Sequence, residues 1–296
     1  MEMGKLCSFA SSREREGHGS TEEEEEEEFK VLTTVRSRYN EILIVETTES
    51  RFLLLDSTHN VHSILNKGRK WTGSYWDEFA SLPAIVPRGP IAILGLGGGT
   101  SAHLILDSWP SLKLEGWEID ELLIDKAREY LGLCNLERCN QVGGVLCVHV
   151  GDALSPSATV PGGFAGIVVD LFSDGKILTQ LQEVATWLEL NNRLMCHGRI
   201  MVNCGGVHAE TTDPSNVAAH AKLSQKGDLW IQNSTIKAMC SAFPGNLSWK
   251  KEAGGENYLA LTGPMPDLDL WSNLVPDHLK LNVKQWKPCM LKSLMA

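Results

Sequence analysis

The chain has 296 residues, of which 43% are hydrophobic and 22% are charged, as is typical of a globular protein with one large domain or two smaller ones. The net charge of −10 lies mostly in the N-terminal segment, where seven consecutive glutamates occupy Glu22–Glu28. Because the remaining residues are close to neutral and contain no basic stripe, we expect no nucleic-acid partner.

Membrane and metal sites are not expected either. No stretch reaches about 18 consecutive apolar residues, and the N-terminus lacks the apolar core of a signal peptide. The eight cysteines include no C-x-x-C pair, and the nine histidines show no ligand spacing. A reducing, cytoplasmic location is the simplest expectation. Cys147 and Cys204 lie in apolar runs and are predicted to be small core residues.

The predicted elements begin after an acidic tail, residues 1–28, which we expect to be disordered. Four short segments rich in β-branched and apolar residues follow over residues 29–65, separated by polar turns. They predict a small, mostly antiparallel β domain over residues 29–70. A turn and a short helix come next and end near Pro83 or Pro87.

From residue 91 onward, predicted strands and helices alternate. The segments that predict strands are 91–98, 112–120, 145–153, 165–172 and 198–206, and those that predict helices are 101–109, 121–133 and 178–194. This alternation indicates a parallel sheet covered on both faces, in a domain over residues 71–265. Asp120 is a predicted N-cap.

The last part of the chain differs from this alternation. Segment 207–229 predicts a loop or a weak helix, and segment 266–296 predicts a C-terminal tail. Between them, two strand-like segments flank Gly254 and Gly255 and predict an antiparallel hairpin. Such an ending is unusual for a nicotinamide-binding domain.

A glycine-rich turn follows the first strand of the larger domain. It contains Gly95, Gly97, Gly98 and Gly99, and Thr100 comes next. Such a turn before a helix lets a ligand approach backbone N–H groups. No lysine ends the loop, so a nucleoside triphosphate site is excluded, and Thr100 stands where a dinucleotide site has its third glycine. The G-x-G-x-G pattern instead favours S-adenosylmethionine.

Acidic residues stand at the ends of the next two predicted strands. Glu118 lies 21 residues after Gly97, and Asp152 follows the third strand in the sequence "VGDA". A carboxylate at the second strand end can accept hydrogen bonds from both hydroxyls of a ribose, and a polar group at the third can contact adenine. Because open α/β sheets bind ligands at the carboxyl ends of their strands, these positions predict a nucleoside site.

The order of the motifs resembles the spermidine/spermine synthases, the aminopropyltransferase branch of the S-adenosylmethionine-dependent methyltransferase superfamily. The motifs are "SYWDEF" followed by "LP", "GLGGGT", "EID", "GDA" and "VVDLFSD", over about residues 29–200. The resemblance implies an α/β, Rossmann-like class I methyltransferase fold, mostly parallel with a C-terminal antiparallel hairpin, after the small β domain. It also implies S-adenosylmethionine or its decarboxylated form, a small acceptor such as an amine, and a homodimer through the N-terminal sheet.

The resemblance assigns roles to individual residues. Those that would bind the nucleoside are Gly95, Gly97, Gly98, Gly99, Thr100, Glu118, Asp152, Ala153 and Asn60. Asp170 and Tyr75 would be the catalytic residues that face the second substrate. Trp76, Asp77 and Asp174 would line the acceptor side of the site.

The acceptor side of the site departs from the family's pattern, among other places, at two acidic positions. The family has an aspartate where this chain has Thr100, and Asp174 stands one residue later than the second acid of the motif after the fourth strand. An amine acceptor is mostly protonated at pH 7, so a carboxylate must accept its proton before it can attack.

The sequence therefore leaves three functions open. The first is an S-adenosylmethionine-dependent transferase with an altered acceptor site, moving a methyl or aminopropyl group. The second is a true polyamine aminopropyltransferase, and the third is a nucleoside-binding scaffold without catalysis.

Overall fold

The computed structural model of the protein describes residues 28–56, 60–173, 175–206 and 229–289. The first element is a four-stranded antiparallel sheet of order β1-β2-β3-β4, as predicted. Its strands are β1 (Lys30–Arg36), β2 (Glu41–Glu46), β3 (Ser50–Leu54) and β4 (Val61–Asn66). The expected tail over residues 1–28 lies outside the described residues except for Glu28.

An eight-stranded sheet of order β14-β12-β13-β11-β8-β5-β6-β7 forms the centre of the molecule. Its strands are β5 (Ile91–Leu94), β6 (Lys113–Glu118), β7 (Val145–Val150), β8 (Phe164–Val169), β11 (Leu194–Asn203), β12 (Leu247–Lys251), β13 (Tyr258–Thr262) and β14 (Lys287–Pro288). The strands from β11 to β7 are parallel, whereas β13, β12 and β14 pair antiparallel. This confirms the Rossmann-like class I methyltransferase fold with its C-terminal hairpin. A two-stranded ribbon of β9 (Phe172–Ser173) and β10 (Lys176–Ile177) follows β8.

Helices connect the strands and cover the sheet. They are α1 (Trp76–Phe79), α2 (Thr100–Ser108), α3 (Glu121–Tyr130), α4 (Leu133–Leu136), α5 (Val184–Asn192), α6 (Ser234–Ala242), α7 (Leu268–Leu274) and α8 (Lys280–Val283). The side chain of Asp120 accepts a hydrogen bond from the N–H of Leu123, which confirms the predicted cap of α3. The long helix predicted over residues 178–194 is shorter, because Glu183 is extended and separates α5 from a 3₁₀ turn at Thr179–Gln182.

The central sheet is buried on both faces, and strand β5 shows why. Successive side chains of a strand point to opposite faces. Ile91 and Ile93 therefore belong to one hydrophobic cluster, and Ala92 and Leu94 belong to the other. All four are buried, as expected for a parallel strand covered by helices on both sides.

The N-terminal sheet and the C-terminal helices share the first of these clusters. Ile42, Ile44 and Leu53 of the small sheet belong to the same cluster as Ile91 of β5 and Trp271 of α7. The segment over residues 266–296 was expected to be a tail, but its described part, residues 266–289, forms α7, α8 and β14 and buries Trp271 and Trp286. The predicted boundaries therefore do not separate independent cores.

The cysteines differ from expectation at two places. Cys204 is buried as predicted, but Cys147 is exposed because β7 lies at the edge of the sheet. Cys240 in α6 and Cys289 after β14 form a disulfide across a separation of 49 residues. No spacing motif marks this pair, because its partners come together only through the fold.

The described residues lack two further features. None of their helices is long and apolar enough to cross a membrane. No group of three or more of their histidine, cysteine, aspartate and glutamate side chains could hold a metal ion.

Candidate functional site

The glycine-rich loop connects β5 to α2, as predicted, and its glycines are required by the protein itself. Gly95, Gly97 and Gly99 have φ angles of 89°, 53° and 90°. Residues other than glycine adopt such positive φ angles only at a cost in free energy. A Cβ on Gly95 would lie 2.2 Å from the carbonyl oxygen of Asp170. The loop therefore brings the backbone of the first strand end directly against the end of β8.

The N–H groups of the loop donate to acceptors within the protein. Gly97 N–H donates to Glu118 Oε2 at 3.0 Å and Gly98 N–H donates to Ser63 Oγ at 2.8 Å. Gly99 N–H donates to the carbonyl of Leu96 at 3.0 Å. The loop is thus held in shape by β6 and β4, and the Glu118 carboxylate lies against the glycine backbone.

Thr100 explains the contact with β4. Its hydroxyl donates to the carbonyl of Ile64 at 3.0 Å and accepts from the N–H of Ile64 at 2.8 Å. The side chain is buried and begins α2. The hydroxyl therefore joins the N-terminal sheet to the larger domain, and the cofactor contact expected for Thr100 stays a prediction.

Glu118 ends β6 with its carboxylate facing the loop. Oε2 accepts from Gly97 N–H and Oε1 accepts from the N–H of Asp120 at 3.1 Å. Burial raises the pKa of Glu118, and the two N–H donors oppose that rise. Among the described residues the carboxylate has backbone donors only, so it keeps acceptor capacity for further hydroxyl donors.

The other predicted nucleoside residues follow β7 or precede β4. Asp152 follows β7, is exposed, and accepts from the N–H of Leu154 at 2.8 Å through Oδ1. Ala153 is buried, and its carbonyl accepts from Arg193 Nη1 at 3.0 Å. Asn60 is exposed directly before β4.

Asp170 follows β8 and is the centre of a group of polar side chains. Its Oδ2 accepts from the Tyr75 hydroxyl at 3.1 Å and from Trp76 Nε1 at 3.2 Å. Its Oδ1 accepts from Asn203 Nδ2 at 3.0 Å. Burial raises the pKa of Asp170 to about 6, and the three donors only partly oppose it. The pKa of Tyr75 is raised too, mainly by burial and then by the Asp170 charge, so Tyr75 remains a donor.

Three predictions on the acceptor side have different outcomes. Trp76 is buried and contacts Asp170, close to where we expected it. Asp77 does not face this group: its carboxylate accepts from the N–H and hydroxyl of Thr72 at 2.9 and 2.7 Å and from Gly73 N–H at 2.9 Å, with His278 Nε2 at 3.1 Å. We therefore assign Asp77 to the loop before α1, and Asp174 lies outside the described residues.

Sequence reasoning missed Asn203 and Glu252. Strands β8 and β11 pair Val169 with Val202, so Asn203 ends β11 beside Asp170, and that neighbouring strand end was the available signal. Glu252 follows β12, and its Oε1 accepts from Tyr75 N–H at 2.7 Å and from the Ser74 hydroxyl at 2.9 Å. No sequence pattern links Glu252 to a residue 177 positions earlier.

Comparison with known proteins places this geometry among related folds. No protein-family model matches the chain. A probable polyamine aminopropyl transferase of Bifidobacterium longum is 32% identical over 95 residues, which are 32% of this chain and 21% of that protein. The match thus spans about a fifth of the relative's length.

Solved structures resemble a larger part of the chain. Spermidine synthase from Thermotoga maritima has a TM-score of 0.58 at 15% identity and covers 84% of this chain and 77% of its own. A spermidine synthase in complex with the transition-state analogue AdoDATO gives 0.57 at 14%, with the same coverages. A probable spermidine synthase from Corynebacterium glutamicum gives 0.54 at 14%, over 89% of this chain and 98% of its own. The chain therefore resembles polyamine aminopropyltransferases in part of its sequence and has the fold of the spermidine synthases.

Proposed function

We propose that this chain is an S-adenosyl-nucleoside-dependent transferase that moves an aminopropyl group to a small amine. The observation that carries the proposal is the Asp170 carboxylate at the end of β8, held by Tyr75, Trp76 and Asn203 with a pKa of about 6. A carboxylate with this pKa is ionised at pH 7 and is a stronger base than an ordinary aspartate. The partial match to an aminopropyl transferase supports the choice of group.

The other half of the proposed site is the nucleoside side. Glu118 has a half-buried carboxylate with backbone donors at the end of β6, which fits the hydroxyls of a ribose. Asp152 stands at the neighbouring strand end, where an adenine would lie. Both positions lie at the carboxyl ends of parallel strands: β6 pairs with β5, which leads into the glycine loop, and β7 pairs with β6.

The proposed reaction is a displacement. The donor supplies, when bound, a carbon made electrophilic by its bond to positively charged sulfur. The acceptor nitrogen forms a bond to that carbon with its lone pair, and the carbon–sulfur bond breaks with its electrons passing to sulfur, giving a neutral thioether. Asp170 takes the proton that the nitrogen loses. Tyr75 and Trp76 hold Oδ2 by donating to it, and Asn203 holds Oδ1, so the base is fixed before the acceptor arrives.

Calorimetric titration tests the binding half of the proposal. The ligands are S-adenosylmethionine, its decarboxylated form and methylthioadenosine. We expect tighter binding of the decarboxylated form. Preference for S-adenosylmethionine itself would favour methyl transfer, and binding of none of the three would contradict both transferase functions.

The Asp170→Asn variant tests the base. We expect it to bind the nucleoside as the unmodified chain does and to lose transfer to a diamine by roughly 10²- to 10⁴-fold, measured by mass spectrometry of the products. Asp125→Asn is the matched control, because Asp125 is exposed on α3 and pairs only with Arg128 among the described contacts. Transfer that survives in Asp170→Asn would contradict the assigned role.

A further inference from the structure

The hairpin between β12 and β13 reaches the acceptor side of the site through one carboxylate. Glu252 lies just after β12, and its Oε1 accepts two hydrogen bonds, from the Tyr75 N–H and the Ser74 hydroxyl. Its Oε2 accepts from Asn257 Nδ2 at 3.1 Å, within the same hairpin. The carboxylate therefore ties the hairpin to the chain segment directly before α1.

That segment carries two of the three donors to Asp170. Tyr75 gives its hydroxyl and Trp76 gives its indole N–H. Their backbone begins at the residue whose N–H is bound by Glu252. Asp77 holds the earlier part of the same loop through Thr72 and Gly73, so the two carboxylates fix the loop at its two ends.

We propose that Glu252 is a positioning residue for the transfer, setting the Tyr75 and Trp76 donors against the Asp170 carboxylate. Its consequence for catalysis rests on the proposed function, whereas the positioning of the loop does not. The bond from an N–H to a carboxylate is charge-assisted and is stronger than one between neutral groups. Loss of that bond would let the backbone at Tyr75 move and would loosen both donors together.

The surroundings of Glu252 favour this role over a simple ion pair. In the described contacts its partners are Ser74, Tyr75 and Asn257, none of which is basic. The two basic residues of β12 pair elsewhere: Lys251 lies 3.9 Å from Glu256, and Lys250 lies 2.8 Å from Glu78. The titratable group that contacts Asp170 directly in the described region is Tyr75.

Two substitutions separate the effect of the length of the Glu252 side chain from the effect of its charge. Glu252→Gln keeps the length and the Oε1 acceptor but removes the charge, and Asn257 can turn its amide to bind the new NH₂ group. Glu252→Asp keeps the charge but is one methylene shorter. We expect Glu252→Gln to lose only the charge assistance and to stay close to the unmodified chain, and Glu252→Asp to behave like Glu252→Ala, whereas a role in surface charge alone predicts the reverse order.

Amide hydrogen exchange of the unliganded protein measures how firmly the backbone at Tyr75 is held, and it does not require transfer activity. We expect the peptide containing Tyr75 to exchange roughly tenfold faster in Glu252→Asp and Glu252→Ala, the loss of one charge-assisted hydrogen bond. Glu256→Ala is the matched control, since Glu256 is exposed on the same hairpin. Unchanged exchange in Glu252→Asp overturns the proposal. The comparison of Glu252→Asp with Glu252→Gln tests the positioning role even if Glu252→Ala does not fold.

The pH profile of the transfer is the second readout. With its donors loosened, the Asp170 anion is less stabilised, so the acidic limb of kcat in Glu252→Asp should move to higher pH while KM for the nucleoside stays unchanged. Glu252→Gln should restore the limb. A chain with no transfer activity defeats the proposed function and leaves the exchange result to judge Glu252, while an unmoved limb in Glu252→Asp contradicts the positioning.

Discussion

At the scale of single residues, Asp170 combines two opposing influences. Burial disfavours its anion, and hydrogen bonds from Tyr75, Trp76 and Asn203 favour it. Burial has the larger effect, so the pKa rises from 3.8 to about 6. The side chain is thus ionised at neutral pH, yet it stays close to the range in which it exchanges protons.

This pKa makes Asp170 a source of pH-dependent stability. Between about pH 4 and 6 the folded chain keeps a proton that the unfolded chain has released, so the contribution of Asp170 to the free energy of unfolding falls as pH rises. Relative to Asp170→Asn, the unmodified chain should lose on the order of 2 kcal/mol between pH 4 and pH 7.5. Urea unfolding of both proteins at several pH values measures this difference. Parallel stability curves would contradict it.

Tyr75 should tune the same group. Tyr75→Phe removes the hydroxyl that donates to Oδ2 and leaves Trp76 in place. Loss of a hydrogen bond to a charged group should raise the pKa of Asp170 by about one further unit, and the acidic limb of the transfer rate should shift with it. Tyr39→Phe is the control, because Tyr39 is 46% exposed in the turn between β1 and β2. A limb at the same pH in Tyr75→Phe would mean that the hydroxyl does not support the anion.

At the scale of elements, the junction between β4 and the glycine loop decides how the two sheets meet. Ser63 Oγ accepts a hydrogen bond from the N–H of Gly98, and the next residue, Ile64, forms two hydrogen bonds with the Thr100 hydroxyl. A Cβ on Gly98 would lie 2.8 Å from the Cβ of Ser63, so the strand and the loop are in direct contact. The edge strand of the small sheet therefore forms one wall of the loop.

Thr100→Val tests this junction. Valine has nearly the same shape but leaves the N–H and carbonyl of Ile64 without their partner. We expect a loss of about 1–3 kcal/mol in the free energy of unfolding. Thr100→Ser keeps the hydroxyl and should recover most of that loss in the same urea titration. If valine and serine are equally stable, the hydroxyl does not hold the junction.

At the scale of the whole molecule, the small sheet and the larger domain share a hydrophobic cluster. We therefore expect a single unfolding transition, with far-ultraviolet circular dichroism and tryptophan fluorescence changing together. Ile44→Ala in β2 should lower stability by about 2–4 kcal/mol and keep one transition, since Ile44 is fully buried in that cluster. Val31→Ala, at a half-exposed position of β1, should change little. Two separate transitions would show that the domains fold independently.

The sequence predicted what local patterns determine. The strands before Gly95 and Asp170 are continuous apolar runs, and the strand that ends at Glu118 follows in the alternation of strands and helices. Parallel strands bring their carboxyl ends to one edge, so these residues could be placed in advance. Side-chain partners far apart in the chain could not, because they leave no periodic trace. Asp77 binds His278 across 201 residues, and Glu252 binds Tyr75 across 177.

The C-terminal part of the chain also bears on how the protein is made. The two acidic residues before Phe79 have partners from the C-terminal part of the chain. Asp77 contacts His278, and Glu78 forms a buried ion pair with Lys250 at 2.8 Å. When the glycine loop and Asp170 have been synthesised, the residues that bind the segment of Tyr75 have not: Lys250, Glu252 and His278 all come later in the chain. The contacts of the glycine loop with Ser63, Ile64 and Glu118 join residues that all precede Asp170, whereas the contacts of the Tyr75 segment form only after nearly the whole chain has emerged.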